Sequence, residues 1–112
     1  MKKKFNFKKV SVTKNGDYYQ VLFHDDLAID DEPYFIMQRQ FEFPDGGVCN
    51  LESHIEELID QCKVKSLKLT TNGLSVCYGA KKEHKIDISF NASQDTLKEL
   101  AETLIEMTSV SV

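Results

Sequence analysis

The chain has no run near the roughly 18 consecutive apolar residues that a membrane-spanning helix requires, so no such helix is expected. Its opening, MKKKFNFKKV, is basic but has no apolar stretch behind it; no secretory signal is expected, and the expected compartment is the cytoplasm. Cysteine is scarce, odd in number and widely spaced: Cys49, Cys62 and Cys77 fit thiols in a reducing compartment better than a disulfide framework. Neither G-x-G-x-x-G nor G-x-x-x-x-G-K occurs, which excludes the common phosphate-cradling loops. Metal spacings such as C-x-x-C and H-E-x-x-H are also missing. His54, Glu57 and nearby Cys49 are too few and too loosely spaced for zinc. The run DDLAIDDE lacks the alternating oxygen ligands and central glycine of a calcium loop. Neither a metal nor any other cofactor is expected. Repeats, linkers and low-complexity tracts are absent too.

What remains is a globular composition. At 112 residues the chain makes one domain, residues 1–112, able to bury roughly 65% of its unfolded surface without staples. With 41% hydrophobic and 29% charged residues, gross disorder is ruled out. The net charge of −4 conceals a segregation of signs. Residues 1–14 carry six lysines and no acid, whereas residues 25–60 carry eleven acids against Arg39 alone, a local −10. Residues 61–85 swing back, with six lysines against Glu83. Such a block is commonly a solvated face that maintains solubility. The alternative is a surface shaped for a basic partner.

Period and turn chemistry outline the elements. Asn15-Gly16 sits between runs rich in Val, Thr, Tyr and Phe and signals a hairpin; a type I′ turn there sets Val12 opposite Tyr19 and Val10 opposite Val21. A second hairpin about Asn72-Gly73 sets Leu69 opposite Val76 and Leu67 opposite Tyr78. In HKIDISF, Ile86, Ile88 and Phe90 alternate with polar residues, a half-buried strand that completes a three-stranded meander. YFIMQRQFEF opens with four apolar residues and reads as an internal strand, ended by the turn chemistry of FPDGG. Two segments have helical period. Leu51, Ile55, Leu58, Ile59 and Cys62 form one stripe with Asn50 as its cap. Leu97, Leu100, Ala101, Leu104 and Ile105 form another, with Ser93 as its cap. The expected fold is α+β: a two-layer sandwich, mainly antiparallel, with a sheet of about six strands and two helices on one face.

Two other chemistries have candidate residues. Cys77 and His84 flank the last turn and are a conceivable nucleophile pair, but a half-buried, unreactive cysteine is the commoner outcome. The interleaving of Lys2, Lys3, Lys4, Lys8 and Lys9 with Phe5 and Phe7 resembles a stacking platform for nucleic acid, yet the −10 middle segment repels phosphate. Neither an enzyme nor a nucleic-acid binder is expected.

The segment Tyr34, Phe35, Ile36, Met37, Gln38, Arg39, an aromatic and three apolar residues followed by Gln-Arg, resembles the signature of a family of small bacterial immunity proteins, immunity protein family ten. Members are α+β chains found beside polymorphic toxins and contact-dependent inhibition systems. The resemblance implies a protein that binds a cognate toxin domain and blocks its active site. No membrane or nucleic-acid partner is expected, and the expected state is a monomer or weak dimer. An acidic surface suits a basic nuclease toxin, because complementary charge raises the association rate. The residues expected to meet the toxin are Asp25, Asp26, Asp30, Asp31 and Glu32 in the loop, with Glu52, Glu56 and Glu57 on the first helix. The alternative is another acidic interaction module, such as a secretion chaperone.

Overall fold

A computed structural model describes residues 2–25, 33–41 and 48–112. Lys2–Asn6 forms β1, Lys9–Asn15 β2, Tyr18–His24 β3 and Tyr34–Gln40 β4. Cys49–Ser53 forms β5, and Asp60–Cys62 forms β6 after a single 3₁₀ turn at Glu56–Leu58. Val64–Thr70 is β7, Gly73–Tyr78 β8 and His84–Ser89 β9; Gln94–Thr108 is the helix α1. The strands make two sheets. One runs β2-β3-β4-β5-β6 and is antiparallel throughout; the other runs β1-β9-β8-β7, with β1 parallel to β9.

The α+β class and the mainly antiparallel pairing agree with expectation, and β4 is internal, between β3 and β5. Three details differ. The described residues hold nine strands in two sheets and one α-helix, in place of about six strands and two helices. The apolar stripe of residues 51–62 is not a helix. Cys49, Leu51 and Ser53 are buried while Asn50 and Glu52 are exposed, a period of two, and Ile59 is 49% exposed where a helix would have buried it. The reason is tertiary: β4 needs a hydrogen-bonding partner on its second edge, and β5 supplies it.

Both hairpins also pair two residues out from the expected register. The first loop is Gly16-Asp17, with Asn15 opposite Tyr18 and Val12 opposite Val21. Gly16 has φ +60°, at the loop position where a II′ turn places glycine, so the tight turn moves one residue along. In the second hairpin Thr70 faces Gly73 and Leu67 faces Val76. A shift of two in the pairing sum preserves which face each side chain takes, so the apolar sets stay together.

The inner face of the five-stranded sheet is shared along its strands. At one end Phe23 and Phe35 meet the four-stranded sheet and its exit, with ring centroids 5.4 Å from Phe90 and 6.2 Å from Tyr78. At the other end the sheet carries α1, whose Leu100, Leu104 and Met107 are wholly buried. Ser93 caps the helix as expected, its hydroxyl accepting from the Thr96 N–H at 3.2 Å. The last turn of α1 has no basic residue of its own; Arg39 supplies one from β4, donating to the Met107 carbonyl at 2.7 Å. Its guanidinium also lies 4.3 Å from the centre of the Phe41 ring. Among the described residues no helix is long and apolar enough to cross a membrane.

Candidate functional site: the outer face of the five-stranded sheet

The helix and the second sheet cover only one face of β2–β6. Side chains on the other face line up by register. One row runs Thr13, Gln20, Gln38, Asn50, Gln61; the next runs Ser11, Leu22, Ile36, Glu52. The first row is a band of amides and a hydroxyl. In it Gln20 Oε1 accepts from Gln38 Nε2 at 3.1 Å and from the Tyr18 hydroxyl at 2.6 Å. Leu22 and Ile36, paired across β3 and β4, are half-buried apolar residues within a polar field. Beside them Ser11 Oγ and His24 Nε2 lie 2.9 Å apart. Partial burial, and then the nearby charge of Glu52, push the Tyr18 hydroxyl above its usual range. At the β5–β6 margin Gln38, Asn50, Glu52 and exposed Ile59 line a shallow depression of about 360 Å³.

The segment resembling the immunity family divides between the two faces. Phe35, Met37 and Arg39 point inward, whereas Tyr34, Ile36 and Gln38 belong to the outer face. Only the second set is available to a partner.

The eight acids expected to form the contact surface are not equivalent. Asp26, Asp30, Asp31 and Glu32 lie outside the described residues. Asp25 is half-buried, and its Oδ1 accepts from the Lys8 backbone N–H at 2.8 Å, bracing its own chain. Glu52 is exposed on the outer face of β5; Glu56 and Glu57 are exposed on the 3₁₀ turn that follows. Among the described residues no ion pair neutralises these three. Neighbouring Asp60 is committed elsewhere, its carboxylate accepting from the N–H of Gln61 at 2.7 Å and of Ala80 at 3.0 Å. Three carboxylates on one short segment therefore remain for an outside cation. They stand on a strand and a turn, not on the helix expected there.

Cys77 and His84 do not come together as a pair. Cys77 pairs in register with Lys85, and His84 with Tyr78, so Cys77 and His84 project from opposite faces of the four-stranded sheet. The Cys77 thiol donates to Glu83 Oε1 at 3.1 Å; burial and then that carboxylate raise its pKa, the reverse of an activated nucleophile. His84 is buried against the Tyr78 ring, 5.1 Å between centroids. His54 is exposed beyond the end of β5, its Nδ1 accepting from the Tyr34 N–H at 3.1 Å, whereas Cys49 is buried at the other end of the same strand. Among the described residues no three metal-ligating side chains converge.

The amide row and the Leu22–Ile36 pair were missed in the sequence. The alternation of residues 18–24 and 34–40 marks them, but the row closes only when residues 49–53 join the sheet. A scan of protein-family models finds no match to the chain, and a search of curated proteins finds no similar sequence.

Proposed function

We propose that this protein is a non-catalytic inhibitor that binds a cognate bacterial toxin domain in the cytoplasm. Its contact surface is the outer face of the five-stranded sheet with the acidic rim at Glu52, Glu56 and Glu57. The observation that carries this reading is a sheet face that α1 and the second sheet leave uncovered, edged by three carboxylates that no lysine among the described residues neutralises. Half-buried Tyr18, Tyr34, Leu22 and Ile36 supply apolar contact area; the amides of Gln20, Gln38 and Asn50 supply hydrogen bonds. This is the mixture found at interfaces between folded proteins. A standard interface takes about 800 Å² per partner, about an eighth of the 6647 Å² surface here. The likeness of Tyr34–Arg39 to the immunity signature names the class of partner. A nuclease toxin must hold phosphate with Lys and Arg, and carboxylates compete for those same side chains.

The test is association with the variable C-terminal domain of a large secreted protein encoded immediately upstream. The expected result is a one-to-one complex whose association rate falls with salt, and rescue of cells that express the toxin domain. A stable dimer that captures only extended peptides would overturn this reading in favour of a secretion chaperone.

A further inference from the structure

Cys49 and Cys62 are direct partners in the register of β5 and β6. Opposed residues of an antiparallel pair project to the same side, and both cysteines are buried on the inner face, at 0% and 7% exposure. Such partners have Cα atoms about 4.5 or 5.5 Å apart, depending on their place in the ladder, and both values fall within the roughly 4.4–6.8 Å that a disulfide spans. The two stand as thiols: Cys49 Sγ donates to the Met107 carbonyl at 3.4 Å. Cys77, the third thiol, lies on the outer face of the other sheet, opposite Ser66 and Lys85.

We infer that Cys49 and Cys62 form a cross-strand dithiol that a low-molecular-weight disulfide oxidises to an internal disulfide. Cys62 is the point of entry, since β6 is the edge strand and Cys49 lies one strand further in. The Cys62 thiolate attacks one sulfur of oxidised glutathione; that S–S bond breaks, and one glutathione leaves as thiolate and takes a proton. Cys49, on losing its proton, attacks Cys62 Sγ and expels the second glutathione. Two protein thiols are oxidised, and one glutathione disulfide becomes two thiols. Burial holds the Cys62 thiol above its usual range, so exchange at neutral pH is slow.

The bond closes a ring of residues 49–62, which contains β5, the 3₁₀ turn and β6. That ring carries Glu52, Glu56 and Glu57, so oxidation locks the segment proposed above as the toxin-contacting rim. The consequence for binding rests on that proposal; the bond itself does not.

The experiment uses the full chain carrying Cys77→Ala, equilibrated in graded ratios of reduced to oxidised glutathione, alkylated and analysed by mass spectrometry without any partner. The expected product is a monomer lighter by two hydrogen atoms, with a linked Cys49–Cys62 peptide and a Tm raised by roughly 10 °C through the shortened loop. A second chain with Cys49→Ala as well should stop at a glutathione adduct on Cys62. The inference is overturned if both thiols stay alkylatable where the urea-unfolded chain links fully, or if oxidation yields only dimers or a persistent adduct. A null result against a toxin domain would leave this readout untouched.

Discussion

The two sheets bury similar apolar faces against a common core, and they differ in what they leave outside. The outer face of the four-stranded sheet is made of small polar residues fenced by lysine: Lys4, Asp87, Ser75 and Lys68 form one row, with the Ser75 hydroxyl donating to Asp87 at 2.8 Å. Its charges are mixed within the face, as where Lys85 meets Glu83 at 3.9 Å. The outer face of the five-stranded sheet keeps its carboxylates to one margin and places an apolar pair and amides at its centre. A face of small polar residues and mixed charge offers a partner little apolar area to bury. A face with a half-buried apolar centre and an un-neutralised rim invites association.

The largest effect expected on this comparison comes from the core the sheets share. Phe35→Ala removes a ring packed between β4 and β8 and should destabilise by about 3–5 kcal/mol. Both sheets should lose structure in one transition, followed by urea unfolding with far-UV circular dichroism and tyrosine fluorescence; two separate transitions would mean that the sheets are independent units. Next comes Arg39→Met, which strips the Met107 carbonyl at the end of α1 of a charged donor. A loss of roughly 1.5–3 kcal/mol is expected, with partner affinity unchanged because the side chain points inward. Binding abolished at an unaltered Tm would place Arg39 on the wrong side of its strand.

Ser93→Ala should cost about 1 kcal/mol by uncapping α1, measured as a lower Tm with no change on either outer face. The smallest effects on stability, within about 0.5 kcal/mol, are expected from charge reversals on the two outer faces, and these discriminate most sharply between them. Glu56→Lys with Glu57→Lys should slow association with a basic toxin domain at least tenfold and flatten its salt dependence by stopped-flow, whereas Lys68→Glu with Lys85→Glu should not slow it. Equal responses from both pairs would reduce the contrast between the faces to net charge alone.

Much of this was legible from residue order, because it depends on short-range period. The alternation in residues 84–89, the Ser93 cap with buried Leu100 and Leu104 behind it, and the internal place of β4 all follow from local pattern; Ile105, expected in the same stripe, is 44% exposed. Where two periods fit the same residues, local pattern misled. Leu51, Ile55, Leu58 and Cys62 satisfy a helix, and Leu51 with Cys49 and Ser53 satisfies a strand; the open edge of β4 chose between them. The basic start shows no turn partner or strand signal of its own, yet residues 2–6 pair in parallel with β9, a contact more than eighty residues distant in sequence.

The candidate site follows the same division. Its charges were visible as a block of acids, and its individual residue types never depended on the fold. Which acids remain available, which strand segment carries them and which face they edge depended on pairings between distant segments. So did the meeting of Cys49 with Cys62. Alternation sorts side chains into two sets at each strand, but a face exists only once neighbouring strands are in register, and long-range hydrogen bonding sets that register.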